Sequence, residues 1–314
     1  MRKRPGRPGR FFGAGKVDTQ SRDVRNVARP SVETPVKQDL HTKKVLHTKR
    51  NHGVGSMKMV RLAIAFAVTI LTGVFSPFAA HAQTTAPVEA HNVVLVHGAW
   101  ADGSSWAGVI PYLQAAGLKV TAVQNPLTSL EDSVAATRRA LALQDGPTVL
   151  VAHSWGGTVI SEAGIDPKVT ALVYVAARGP DAGEDFVALS GKFPLGPVRA
   201  GVREHDGFTK LSEESFLKYF ANGVEPGKAK VLYAVQEPTA ASLFGGRTTT
   251  AAWRSKPSWY AVSKLDQTIN PDLERFLAKR MNATTVELDA GHLSLVSHPK
   301  EIADLILAAA GRRE

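Results

Sequence analysis

The chain contains no cysteine, which excludes disulfide frameworks, thiolate nucleophiles, zinc–thiolate centres and iron–sulfur clusters. Export remains allowed, because a chain of 314 residues can bury a core large enough to fold without covalent staples. Acidic charge is scarce at one end only. Residues 1–56 hold 14 Lys and Arg against 4 acids, whereas from Gln83 onward 22 bases face 24 acids. The net charge of +10 therefore belongs to the amino-terminal stretch, and the rest has no excess of positive charge with which to hold nucleic acid. No uninterrupted apolar run reaches the ~20 residues that span a bilayer.

What is present divides the chain into three. Residues 1–56, opening with "RKRPGRPGR", have no apolar period and read as a disordered basic leader. Residues 57–82 combine Lys58 and Arg61, an apolar run from Leu62 to Phe75, and Ala80-His81-Ala82 before Gln83. That is the layout of a secretory signal peptide. It predicts a periplasmic or secreted protein with no membrane anchor after cleavage, and a true start at Met57 or Met59. Residues 83–314 are then the folded domain.

Within that domain, strand-like segments alternate with amphipathic ones. Residues 92–98, 119–124, 148–154, 169–177, 258–266 and 283–292 read as strands. The first, third and fourth are apolar without alternation, as in a sheet covered on both faces. The segment 128–143 reads as a helix, with Thr128 and Glu131 at capping-box spacing and Leu130, Val134 and Leu141 on one face. Helices are also expected at 270–281, capped by Asn270 with Pro271 following, and at 299–311, opened by Pro299. This alternation implies an α/β fold, a mostly parallel doubly wound sheet of about six strands. The pattern breaks at 178–256, where no central strand is evident. Helix-like pieces stand at 212–220 and 227–236, with six of the twelve Phe: 186, 193, 208, 216, 220 and 244. The insertion is either a helical lid over a pocket or a satellite core of its own.

In "TVLVAHSWGG" a buried strand ends at a serine followed by two glycines. A serine on a tight strand-to-helix turn projects its hydroxyl above the carboxyl edge of the sheet, and the turn demands small neighbours. The pentapeptide Ala152-His153-Ser154-Trp155-Gly156 departs from G-x-S-x-G only at its first position. A serine hydroxyl needs a base, and the base needs an orienting acid, in the chain order Ser, Asp or Glu, His. Asp266 and His292 end the fifth and sixth strands and meet that order. Asp289 competes with Asp266, Asp272 belongs to a helix's first turn, and His97, His153 and His298 read as structural. The oxyanion of an acyl transfer needs backbone donors; position nominates the N–H of Trp155 and, after the turn at Gly98, that of Ala99.

The motifs "VLVHGAWADGSSW", "AHSWGG", "KLDQTI" and "AGHLSLVSHP" resemble the α/β-hydrolase superfamily, specifically its branch of methyl esterases, hydroxynitrile lyases and bacterial esterase relatives. The resemblance covers about residues 91–311. It implies a triad of Ser154, Asp266 and His292, oxyanion donors at Ala99 and Trp155, and no metal or organic cofactor. Lyase members carry a lysine directly after the triad histidine and a threonine in the first-strand loop. Leu293 and Gly98-Ala99 stand here instead, which disfavours cyanohydrin cleavage. The expectation is a serine hydrolase acting on a small carboxylic ester, with Trp100, Trp106 and the lid aromatics favouring an apolar substrate and Trp100 contacting it. A receptor-like binder of small molecules, or a perhydrolase or C–C hydrolase using the same serine, are the alternatives. Oligomeric state is not legible.

Overall fold

The computed structural model describes residues 88–312; the expected leader and signal peptide lie outside the described residues. Nine strands follow in chain order: β1 (Asn92–Val96), β2 (Lys119–Val123), β3 (Thr148–His153), β4 (Val169–Val175), β5 (Val202–His205), β6 (Phe208–Leu211), β7 (Thr239–Ala240), β8 (Ser258–Ser263) and β9 (Thr284–Leu288). Six of them form one parallel sheet in the order β2-β1-β3-β4-β8-β9. Every predicted sheet strand is present, each trimmed at its ends.

Residues of β1, β3 and β8 are buried at every position. Helices cover both faces of the sheet, so these strands need apolar side chains in both directions. From β1 the chain first crosses to β2 on one side and then returns to lay β3 on the other, in the register Val94 to Leu150. Strand order thus reverses between β1 and β3, and a crevice opens beyond their carboxyl ends. The loop after β1 and the turn after β3 both empty into it.

The flanking helices are mostly those expected. Asn270 caps the helix Pro271–Arg280 by accepting from the Asp272 N–H, and Pro299 opens Pro299–Ala309. One cap is corrected. Ser129, not Thr128, caps Leu130–Ala142, its side chain accepting from the Asp132 N–H. Ser129 has the extended backbone a cap requires, φ −154° and ψ 167°. The Thr128 hydroxyl instead donates to the Asp132 carboxylate at 2.6 Å.

The insertion after β4 also differs from the helical lid expected. It carries helices at Phe186–Ser190 and Pro226–Ala234 and a π-helical turn at Phe216–Phe220. Between these stands a separate antiparallel sheet, β5-β6-β7. Its hairpin turns at Asp206-Gly207, with φ of 48° and 78°, a two-residue type I′ turn for which Asp-Gly is a strong signal. The six phenylalanines divide. Phe186 and Phe244 face the crevice, and Phe220 packs on Trp100 and His292. Phe216 joins Phe220 and Tyr233, Phe193 lies on Phe276, and Phe208 is largely exposed. The insertion is therefore both a cover for the crevice and a small core.

Candidate active site

The turn after β3 holds its serine in a conformation few residues adopt, with Ser154 at φ 54°. Left-handed backbone at a residue bearing a side chain costs on the order of 1–3 kcal/mol and persists only where the surroundings enforce it. Here the Ser154 N–H donates to the Val175 carbonyl at 3.2 Å, while the Ser154 carbonyl accepts from Arg178 at 2.9 Å and from Gly157 at 3.1 Å. The two glycines that follow are required by proximity to other strands. A Cβ on Gly156 would stand 2.7 Å from the His97 carbonyl oxygen, and one on Gly157 would stand 1.9 Å from that of Arg178. Gly98, after β1, is constrained from the opposite side: its Cβ would lie 2.7 Å from that of Ser154.

Ser154, His292 and Asp266, 138 and 26 residues apart, come together. His292 Nε2 lies 2.9 Å from Ser154 Oγ, and His292 Nδ1 lies 2.6 Å from Asp266 Oδ2. The side chains of His292 and Asp266 are wholly buried. The other carboxylate oxygen of Asp266 accepts from the Thr268 and Ile269 N–H groups at 2.6 and 2.9 Å. Those amides fix the carboxylate, so the Nδ1–H of His292 has one place to donate and Nε2 is left free to accept. Asp289 does not meet His292: its side chain is 79% exposed and paired with Lys264. Asp272 sits in the first turn of its helix, bound by Arg275.

Three further side chains organise the site. His153 is fully buried, 4.7 Å from His292 between ring centroids, and donates from Nε2 to the His292 carbonyl at 3.0 Å. Burial, reinforced by the charge of a protonated His292, holds its pKa well below the ordinary histidine value, so it stays neutral. His97 donates from Nδ1 to the Gly98 carbonyl and accepts at Nε2 from the Asn125 N–H, which fixes one neutral tautomer under the β1 loop. Burial lowers its pKa also. Glu274 is fully buried and accepts from the Ser263 N–H at 3.0 Å. Burial first, and then the Asp266 carboxylate, push its pKa well above the usual range, so it adds no second negative charge beside the first. In the sequence His153 reads as structural, and nothing there singles out Glu274. Its place in the first turn of a helix, where acids are commonplace, carried no signal.

Ser154 opens onto a cavity of about 470 Å³, lined also by Ala99, Trp155, Trp100, Phe186 and Phe244. Among the described residues, neither the Ala99 nor the Trp155 backbone N–H has an acceptor within the chain. They are two unspent donors on residues that line the cavity together with Ser154. Trp100 lines the cavity, at φ 56°, its indole N–H donating to Thr209 of β6 and its backbone N–H to Thr239 of β7. Trp106 does not reach it. It closes the short helical turn Gly103–Trp106 and is entirely buried in the core. No group of three or more His, Asp or Glu side chains among the described residues is placed to hold a metal ion.

Comparison with known proteins follows the same lines. The chain is 27% identical over 251 residues to methylesterase 9 of Arabidopsis thaliana, covering 70% of this chain and 98% of that protein. It is 26% identical over 243 residues to the alpha/beta hydrolase nvfD of Aspergillus novofumigatus, covering 70% and 96%. Among solved structures, polyneuridine aldehyde esterase matches with a TM-score of 0.61 at 18% identity, over 70% of this chain and 98% of that one. The pyrethroid hydrolase PytH matches at 0.60 and 21%, over 69% and 96%. These two likenesses show a shared fold. Residues 93–305 match the sequence profile of the alpha/beta hydrolase family, and the chain belongs to that family.

Proposed function

We propose that the protein is a serine hydrolase that cleaves a small carboxylic ester with an apolar body through an acyl-enzyme. The observation that carries this reading is the continuous relay from Ser154 Oγ through His292 to Asp266, opening on a cavity with two unpaired amides. His292 Nε2 takes the hydroxyl proton as Oγ bonds to the carbonyl carbon. The carbonyl oxygen, now negative, rests on the Ala99 and Trp155 N–H groups, each worth roughly 10²- to 10³-fold in rate. Collapse expels the alkoxide, which leaves as alcohol with the proton from His292. Water, deprotonated by the same imidazole, then attacks the acyl-enzyme and releases the acid. Asp266 holds the imidazole in the productive tautomer and stabilises its cation.

Relatives named as methylesterases support an ester as the substrate. The rings of Trp100, Phe186 and Phe244 support an apolar body for it. Ser154→Ala in the purified protein is expected to lower kcat for a 4-nitrophenyl ester by at least about 10⁴-fold. Undiminished turnover would remove the serine from the reaction. We infer as well that the domain is exported, on the basic, apolar and small-residue layout of residues 57–82. Amino-terminal sequencing of the protein from the producing cell is expected to begin at Gln83.

A further inference from the structure

Arg178 is a cation without an anion, placed beside the nucleophile. It follows β4 at the carboxyl edge of the sheet, and its backbone N–H donates to the Ser154 carbonyl at 2.9 Å. The turn that delivers it is clamped. Ala176 lies at φ 42°, and the buried Tyr260 hydroxyl donates to the Ala177 carbonyl at 2.5 Å and accepts from the Ala177 N–H at 3.1 Å. The Arg178 side chain then lines the cavity that Ser154 opens onto, and the residue is only 9% exposed.

Its contacts leave most of its hydrogen-bonding capacity unused. The guanidinium carbon lies 4.5 Å from the centre of the Phe186 ring and 5.8 Å from that of Phe244. One N–H donates to the Phe244 carbonyl at 3.3 Å. No carboxylate of the described residues lies within 4 Å of it, whereas the part-buried Arg280 is paired with Glu184 at 2.8 Å. Arg199 also lines the cavity and is near enough to repel it. Glu204, the one acid in the lining, makes no ion pair with either. Burial, and then Arg199, lower the Arg178 pKa to about 10, which leaves it charged at neutral pH. A guanidinium this nearly buried and without a counter-ion is costly unless something brings the charge. Its planar fork of donors matches a carboxylate in two-point geometry.

We propose that Arg178 is an anion-binding subsite, and that the preferred substrate is an ester carrying a free carboxylate at a distance from the scissile bond. This rests on the serine-hydrolase reading for the reaction but not for the binding. The apolar body of the substrate lies against Trp100, Phe186 and Phe244, and its carboxylate takes the free N–H groups of Arg178.

The test compares kcat/KM for the monomethyl esters of the C4–C8 straight-chain dicarboxylic acids with the matching methyl alkanoates. A second arm uses acetyl esters of ω-hydroxy acids against acetyl esters of the corresponding alcohols. In the wild-type protein at least one charged member is expected to exceed its neutral partner by about tenfold or more, and Arg178→Met is expected to collapse that ratio toward one. Binding is measured separately by calorimetry, with the C4–C8 dicarboxylates added to Ser154→Ala and to Ser154→Ala/Arg178→Met. Binding in the first that weakens about tenfold or more in the second supports the subsite even if no ester is turned over, in which case the esterase reading alone falls. Hydrolysis of neutral esters with no charged preference in either arm and no dicarboxylate binding would overturn the subsite and leave the esterase reading standing. The wild-type ratios and the Ser154→Ala titration decide the matter should Arg178→Met fail to fold.

Discussion

The sheet platform and the inserted segment 178–256 treat the same cavity in opposite ways. On the platform, the Ser154 backbone and the Asp266 carboxylate are held by backbone groups. Ser154 is locked between Val175 and Arg178, Asp266 is held by two amides, and glycines at 98, 156 and 157 let three chain segments approach more closely than any side chain permits. The insertion supplies rings and short helices, with Val187, Leu195 and Val231 exposed on it. The proposed acyl transfer requires position to within a fraction of an ångström, while covering the proposed apolar substrate requires only surface. The two regions are therefore expected to answer mutation differently.

The largest contrast lies in the relay. Asp266→Asn keeps the shape of the side chain but presents a neutral amide to His292, and kcat for a 4-nitrophenyl ester is expected to fall about 10³- to 10⁴-fold with KM little changed. A fall of less than tenfold would mean that the platform's geometry is not what sets the rate. Next comes packing. Gly157→Ala drives a methyl group into the Arg178 carbonyl and is expected to cost about 3 kcal/mol or more in urea unfolding. Gly245→Ala in the insertion has nothing within 4 Å of the new Cβ and is expected to cost about 0.5 kcal/mol or less. Equal costs at the two glycines would erase the distinction between the regions.

Smaller effects sharpen it. Phe244→Ala removes a cavity wall and is expected to raise KM for an apolar ester about five- to tenfold, with kcat within about threefold of wild type, the mark of lost uniform binding. The smallest effect concerns pH. Glu274 has a raised folded-state pKa, so the native state holds a proton that the unfolded state releases. Its contribution to stability is complete below the ordinary carboxyl pKa and is lost as pH rises toward the folded value. Glu274→Gln, which keeps a neutral donor at this position, is expected to change unfolding stability little at pH 4. At pH 8 it is expected to stabilise the protein relative to wild type, measured by urea midpoints.

Much of the platform was legible because it is written in local patterns. Uncharged runs marked β1, β3 and β4, Asn270-Pro271 marked a helix start, and His-Ser-Trp-Gly-Gly marked the turn. The insertion was harder to read because its pieces are two to nine residues long and take their stability from packing on one another. Even there Asp206-Gly207 is a local hairpin signal, set between two strands of only four residues each. The misplaced cap is a near-tie. Thr128 and Ser129 both offer a hydroxyl, and only the backbone conformation at 129 decides which one meets the helix. Trp106 reads in the sequence as a cavity residue, because an aromatic residue near a loop has no sequence mark that separates core from pocket.

The sequence by itself determined the order of strands and helices in the platform, the tight turn at Ser154 and the candidate acid and base, since each depends on neighbours within a few residues. Only the tertiary structure decided that Asp266 rather than Asp289 faces His292, that His153 and Glu274 stand behind the relay, and that Arg178 enters the cavity without an acid. Those outcomes depend on which strand ends the parallel order brings together, and on what burial does to a charge once it is there. Neither quantity is carried by residue spacing.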